Sequence, residues 1–474
     1  MKKTLTINPV TRIEGHARIT IQMNEQGAVD DAVFHVTQFR GFEKFVEGRP
    51  FQEMPGITAR TCGICPVSHL LAASKAGDAI MAVRIPPNAA RLRRLLHCGQ
   101  MIQSHALSLY HLCSPDLLLG MDAPVAERHV LGVAAKHPEV VKDGIRLRQI
   151  GQRMIERLAG KRVHPAWTVP GGVNKPLSAG VRDEILADLP EALDIARRAF
   201  DLYRGIVANF TEEIATFANF PTLFLALATP DGGLEHYDGV VRVVDADRKP
   251  VADHLDPARY DDFIGERTEN FSYLKSPYYK PFGVEKGCYR VGPMARLNVA
   301  EHCGTPNADA ALAEFRKLGQ GAVLSSFHYH QARLIEIVYC IERAMEILRH
   351  PDLLDPNVRA VAGTNLREGV GVVEAPRGIL IHHYKVDDNG LITWANLIVA
   401  TGHNNLAMNR GITQAARHFV HGDRLTEGAL NRVEAVIRCY DPCLSCSTHA
   451  VGRMAMRVEL RDRDGNILDE RQRD

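Results

Sequence analysis

The chain has 474 residues, a net charge of +1, 45% hydrophobic and 24% charged residues, enough length for a large buried core and the balance of a globular protein. No run of lysine and arginine is long enough to track a phosphate backbone, no apolar stretch approaches the ~20 residues that span a bilayer, and MKKTLTINPVTRIEGH lacks the apolar block of a signal peptide. No nucleic-acid partner, membrane span or export is expected, so the chain is assigned to the cytoplasm.

In chain order, residues 4–40 alternate in the manner of strands, with an Asn24-Glu25-Gln26-Gly27 turn. Pro66 opens a helical pattern, PVSHLLAASKAGDAIMAV. Helical periodicity returns over residues 89–113, 141–158, 178–218 and 308–349, the last read as one continuous stretch. Residues 222–298 are rich in Gly, Pro and Tyr and predict a small β-rich region. GILIHHYKV, the turn DDNG and LITWANLIVA predict a hairpin over 378–400. Helices follow to about residue 436, a helix is expected just after Cys446, and RVELRDRDGNILDE predicts a closing strand–turn–strand. The expected fold is α+β, a long helical core with peripheral strands and hairpins. No composition break marks a linker, so residues 1–474 are read as one domain.

Six of the ten cysteines (Cys98, Cys113, Cys288, Cys303, Cys340 and Cys439) are scattered and read as buried apolar thiols. The other four form two CxxC pairs, in RTCGICPVSH and YDPCLSCSTH. Each meets a predicted helix start, where amide groups and the dipole favour thiolate. If the fold joins the two ends of the chain, four thiolates make a soft site for Zn, Fe or Ni that rejects Mg and Ca. A structural zinc site has this usual signature, but zinc pairs normally lie within tens of residues and clamp a module that lacks a core. A thioredoxin-like reading fails because neither pair follows a βαβ pattern. Spacing alone leaves zinc and a redox metal open.

The surrounding segments narrow the choice. VTRIEGHARI, RGFEKFVEGRP, the two CxxC contexts, GPMARLN and EAPRGILIHH together resemble the large subunits of nickel–iron hydrogenases from end to end, most closely those of soluble, bidirectional, NAD-coupled members. The resemblance implies the hydrogenase large-subunit fold, with the N- and C-terminal regions converging on a nickel–iron centre whose iron carries CO and cyanide. It makes Cys62 and Cys443 terminal ligands of nickel, and Cys65 and Cys446 the bridging pair. Heterolytic cleavage of dihydrogen also needs a base held close, and the family pattern assigns that role to Glu14, receiving its proton from Cys443. Read alone, Glu14 beside Arg12 and His16 is an ordinary surface ion pair.

By the same resemblance Arg377 overhangs the open metal position between Asp116 and Asp441, where paired charge-assisted bonds would orient it. Asp116 reads equally well as a helix cap. Pro376 and Thr401 are expected against the cofactor, Thr401 donating to a cyanide. His69, four residues after Cys65, is expected to donate to a cysteine sulfur, with a satisfied core histidine as the bland reading. Glu43, His449 and the backbone carbonyl of Leu397 match the ligands of a second, octahedral metal, magnesium or in some members iron. It would tie a C-terminal helix to the N-terminal region.

Family members are usually cut after this histidine, so residues 450–474 read as a propeptide removed by a maturation endopeptidase, and an ordered tail would leave the His449 site distorted or empty. No spare cysteines have iron–sulfur spacing and no GxGxxG follows a strand. An iron–sulfur small subunit is therefore required, with FMN-containing diaphorase subunits if NAD is the acceptor. The competing readings are a zinc-clamped structural or assembly protein, a hydrogenase coupled to another acceptor, and the quinone-binding relative in respiratory complex I, which lacks the four cysteines.

Overall fold

A computed structural model describes residues 3–421, 425–449, 456–462 and 467–473. The chain opens with the antiparallel strands β1 (Lys3–Ile7), β2 (Ala17–Met23) and β3 (Val29–Val36), paired in that order. Strand β2 alternates buried and outward residues along its length, as a half-covered sheet requires. Next come the helices α1 (Pro66–Ile80), α2 (Pro87–Leu107), α3 (Pro138–Ala159) and α4 (Ala179–Ile206). Pro lies in the first turn of the first three, where its missing N–H costs nothing, and Ser178 caps α4 by accepting the Val181 amide. On α3 the buried set Leu147, Ile150, Met154, Ile155 and Leu158 follows the helical repeat. A single π-helical turn, Ser108–Cys113, follows α2 directly.

The Gly- and Pro-rich middle is β-rich, as expected. Strands β4 (Leu223–Ala228), β5 (Val240–Val244) and β6 (Pro250–Leu255) form a sheet, and β7 (Ile264–Glu269) pairs with β8 (Ser272–Tyr279) in a separate hairpin. The short β9 (Tyr289–Arg290) adds to β4 in parallel. Three helices follow: α5 (Pro293–Val299), α6 (Pro306–Arg316) and α7 (Tyr329–Leu348). The region read as one helix over 308–349 is thus two, broken across Gly319 and Gly321, whose close backbone neighbours at Ala322 and Asp247 leave no room for a side chain.

The predicted hairpin is β11 (Gly378–Val386) with β12 (Ile392–Ile398), and β10 (Glu368–Ala375) joins it as a third strand. Two helices, α8 (Asn405–Phe419) and α9 (Glu427–Tyr440), precede the second cysteine pair. Among the described residues the helix expected just after Cys446 is not seen: one turn, Leu444–Ser447, begins between the two cysteines, and Thr448 is extended. Thr426 caps α9 through the Ala429 amide. The closing strands β13 (Met456–Arg461) and β14 (Ile467–Arg473) pair as a hairpin, and residues 450–455, the start of the segment read from the sequence as a propeptide, lie outside the described residues.

Helices α2, α3, α4 and α7 pack side by side as the main core, while α1 lies on β10 and β11. Helix α8 packs on β3, and β3 also touches β8, so the C-terminal third folds back over the N-terminal sheet. That return brings the two cysteine pairs together. Among the described residues, no helix is long and apolar enough to cross a membrane.

Candidate metal centre

All four cysteines are buried, and their sulfurs lie within 4.8 Å of one another. Cys62 Sγ is 3.2 Å from Cys443 Sγ, Cys65 Sγ 3.7 Å from Cys446 Sγ, and Cys443 Sγ 2.9 Å from Cys446 Sγ. Among the described residues this is the one group of three or more His, Cys, Asp and Glu side chains placed to hold a metal ion. Cys65 is the residue before the first turn of α1, and the amides of Ile64 and Cys65 both donate to Cys62 Sγ at 3.2 Å. Such amide donors favour thiolate. Hydrogen bonds from Cys443, Cys446 and Cys62 hold the Cys65 thiol well below its ordinary range. Contact with Cys446 and Cys62 pushes Cys443 up, and burial pushes Cys446 up. Four buried thiols cannot all ionise without a countercharge, so the donor set fits a soft cation that supplies one.

The N-terminal segment closes the site from the other side. Glu14 and Cys443 form a parallel bridge, with the Leu444 amide on the Glu14 carbonyl at 3.1 Å. Gly15 adopts φ +94, and a Cβ there would meet Leu444 Cβ at 2.6 Å, so only glycine allows this approach. The Cys443 thiol donates to Glu14 Oε2 at 3.1 Å, the Ser445 amide donates to the same oxygen at 3.0 Å, and the Ser445 hydroxyl donates to Oε1. Glu14 is therefore not the partner of Arg12, whose guanidinium binds Asp116. Outward from the site, Gln38 donates to Ser445 Oγ at 2.9 Å and meets the exposed His16 at 2.7 Å.

Arg377 is buried against Asp441: its Nε donates to the Asp441 carbonyl, and its guanidinium lies 3.0 Å from the carboxylate. Burial opposes its charge, but Asp441 and the cysteine sulfurs outweigh it and hold Arg377 firmly protonated. Burial raises the Asp441 carboxyl, with Arg377 pulling the other way. Asp441 ends α9 at φ 53, a left-handed conformation that is costly for a residue with a side chain and is held here by the Arg377 contacts.

The expected flanking of Arg377 by two acids is not observed. Asp116 instead accepts Arg12 bidentately at 2.6 and 2.9 Å, Arg438 at 2.9 Å and Asn431 at 3.0 Å. Burial would raise its carboxyl, but Arg438 and Arg12 hold it below the ordinary value. The guanidinium groups of the partly exposed Arg12 and the buried Arg438 saturate this carboxylate, and the second neighbour of Arg377 is Ser104, whose hydroxyl accepts at 3.4 Å.

Thr401 Oγ1 accepts the Cys443 amide at 2.9 Å. A hydroxyl accepts and donates at once, so this leaves its expected role toward a cyanide open. Pro376 precedes Arg377 in the tight turn between β10 and β11. His69 Nδ1 lies 3.1 Å from His382 Nε2, while its buried Nε2 has no hydrogen-bond partner in the protein, and the ring adds to the lowering of Cys65. Glu43 Oε1 meets His449 Nδ1 directly at 2.7 Å and accepts the Leu397 amide at 3.3 Å. Burial raises Glu43, but the His449 hydrogen bond outweighs it and lowers the carboxyl. On the edge strand β12, a residue whose N–H points outward also turns its carbonyl outward, so Leu397 offers that oxygen on the Glu43 side.

Three contributors escaped the sequence reading. Ser445 could have been noticed, since it sits inside the CxxC loop. Arg438 carried no signal, lying upstream of Cys443 in a helix with no motif of its own. His164, at φ 51 before Pro165, meets the Cys62 carbonyl at 2.9 Å, and a lone His-Pro gives no warning of that.

Fold and site together define a buried four-cysteine site suited to a soft metal ion, with a carboxylate on one sulfur and an arginine beside it. A family model described as nickel-dependent hydrogenase matches residues 40–135 and 235–449, and one described as HoxL-like matches residues 4–39. The chain is 42% identical to the NAD-reducing hydrogenase HoxS subunit beta of Cupriavidus necator, with the full length of both covered. It is also 42% identical to a chain of the F420-non-reducing hydrogenase vhu of Methanococcus voltae, over 87% of this chain and 98% of that one. A solved NAD+-reducing NiFe hydrogenase in the H2-reduced state superposes with a TM-score of 0.92 at 45% identity, covering 94% of this chain and 99% of that chain. The chain belongs to the nickel-dependent hydrogenase family, as its large subunit.

Proposed function

We propose that this large subunit splits dihydrogen reversibly into protons and electrons, and that the electrons pass through an iron–sulfur small subunit, then flavin-containing subunits, to NAD. The reading is carried by the meeting of four thiols from both ends of the chain with Glu14 on the Cys443 sulfur at 3.1 Å. NAD as acceptor is supported by the full-length relative and the solved structure, both NAD-reducing. The F420-non-reducing relatives keep another acceptor as the second reading, and NAD reduction by the purified complex under hydrogen separates the two.

Cys62, Cys65, Cys443 and Cys446 would together hold the nickel–iron centre, whose iron would carry CO and cyanide. When bound, this centre supplies the electron-accepting chemistry that polarises dihydrogen toward heterolytic cleavage. A proton reaching the Cys443 sulfur has its acceptor, Glu14 Oε2, already within hydrogen-bond range. From Glu14 the side chains of Ser445, Gln38 and His16 continue to the surface. Arg377, anchored by Asp441, keeps a positive charge beside the sulfurs in a site shielded from water, where it acts at full strength. The buried Thr401 and Pro376 would line the iron's ligands, with His69 beside Cys65.

Glu43, His449 and the Leu397 carbonyl would hold magnesium or iron. Residues 1–449 would be one mature hydrogenase domain, working in the cytoplasm where its NAD acceptor is found, after an endopeptidase removes 450–474. The family match ending at residue 449 supports that processing point. The test is an infrared spectrum of the purified complex beside its nickel and iron content. CO and cyanide bands with nickel in step with the chain are expected; zinc without those bands in a processed chain overturns the reading.

A further inference from the structure

Behind the turn that presents Arg377 lies a second buried charge cluster that takes no part in the chemistry above. Arg296 on α5, Glu336 on α7 and Glu374 at the end of β10 all have 0% side-chain exposure. Arg296 donates Nε to Glu336 Oε1 at 2.5 Å and NH2 to Glu336 Oε2 at 2.6 Å, a bidentate pair, and donates NH1 to Glu374 Oε2 at 2.7 Å. Its remaining donor capacity goes to backbone: NH1 to the Ala375 carbonyl at 3.0 Å and NH2 to the Pro376 carbonyl at 3.3 Å. Those are the two residues immediately before Arg377.

The neighbours tighten the same point. Glu374 Oε1 accepts the Leu227 amide at 2.9 Å, and the Glu374 amide donates to the His236 carbonyl at 2.8 Å. His105 Nε2 meets Glu336 Oε2 at 2.8 Å, while its helix neighbour Ser104 touches Arg377 itself. Helix α5 starts from Gly292 at φ +93, where a Cβ would lie 2.8 Å from the Arg377 carbonyl, so the segment carrying Arg296 runs against the Arg377 backbone as well.

Buried ion pairs are weak sources of stability, because desolvation consumes most of the attraction; what they do well is impose one geometry. Here the geometry imposed is that of the Ala375–Pro376 backbone. We propose that Arg296, clamped by Glu336 and Glu374, is a positioning residue that sets the Arg377 guanidinium over the four-cysteine site. Burial pushes the Glu374 carboxyl up to about 7, which eases the excess of negative charge around the single arginine. Lysine at 296 would supply one point charge where the site uses a planar fork with two carboxylates and two carbonyls as partners.

This rests on the hydrogenase reading of the cysteine site. The test uses the purified complex with Arg296→Lys, Arg377→Lys and both together, recording hydrogen-oxidation kcat and KM, nickel content, and the infrared bands of the metal-bound CO and cyanide. Arg296→Lys is expected to retain nickel, to lose up to about 100-fold in kcat through displacement of Arg377, and to shift the cyanide bands. The double variant is expected to be no slower than Arg377→Lys alone, since both changes act through one guanidinium. Additive losses overturn the proposal, as does a nickel-loaded Arg296→Lys with wild-type bands and kcat. Nickel loss from Arg296→Lys with unshifted bands in the loaded remainder also overturns it, by showing a purely structural role. If Arg296→Lys does not fold, Glu336→Gln, which weakens the clamp and keeps the arginine, enters the same cycle and its outcomes are read in the same way. Wild-type protein without CO and cyanide bands would instead fail the hydrogenase reading itself.

Discussion

Replacing Glu14 by glutamine is the most direct probe of the proton route. Glu14 accepts from the Cys443 thiol, the Ser445 amide and the Ser445 hydroxyl, and its backbone is tied to Leu444. Glutamine keeps the shape and one acceptor oxygen, so the structural loss is confined to weakened charge-assisted bonds, about 1.5–3 kcal/mol, local to one loop of a large folded chain. The catalytic loss is larger, because an amide cannot take the proton at neutral pH. A positioned acid–base group contributes roughly 10²–10⁴-fold, equivalent to about 3–5 kcal/mol of barrier. Hydrogen-dependent dye reduction and hydrogen–deuterium exchange by the nickel-quantified complex read this out. Glu14→Asp draws the carboxylate back by one methylene, roughly 1.5 Å, and should fall between wild type and Glu14→Gln. A nickel-loaded Glu14→Gln variant within a few-fold of the wild-type rate would refute Glu14 as the acceptor at the Cys443 sulfur.

Cys446→Ala removes one of four converging donors, and metal analysis of the purified chain should find nickel close to absent while the fold persists. Gly15→Ala forces a Cβ into Leu444 Cβ at a positive φ, a backbone cost of about 1–3 kcal/mol before the clash is counted, and should appear as lowered thermal stability with reduced nickel retention. For Glu374 the unfolded carboxyl titrates near 4.5 and the folded one at about 7. Its stabilising contribution is thus complete below pH 4.5 and lost as pH rises through 7, on the order of 3 kcal/mol across that window. Urea unfolding of Glu374→Gln should lack this slope; an unchanged pH dependence would refute the raised carboxyl.

Much of the molecule was legible before folding. The N-terminal alternation specified three strands, DDNG specified the β11–β12 turn, and Pro66 marked where α1 begins, because each signal is a property of neighbouring residues. The break between α6 and α7 was missed: glycines in an otherwise helical pattern do not announce that backbone will press against them. At the candidate metal centre the two CxxC pairs marked themselves as candidate ligands through side-chain chemistry alone, and the fold brings them together. What surrounds them could not be read that way. Whether Asp116 would meet Arg377 or Arg438, and whether Glu14 would face Arg12 or Cys443, turned on pairings of side chains hundreds of positions apart. Many carboxylates and guanidinium groups in the chain are chemically equivalent, and only the return of α8 over the N-terminal sheet, with α9 packed on α8, selects among them. The same holds for Arg296: its motif could be seen in the sequence, but its grip on Ala375 and Pro376 exists only once α5, α7 and β10 are packed together.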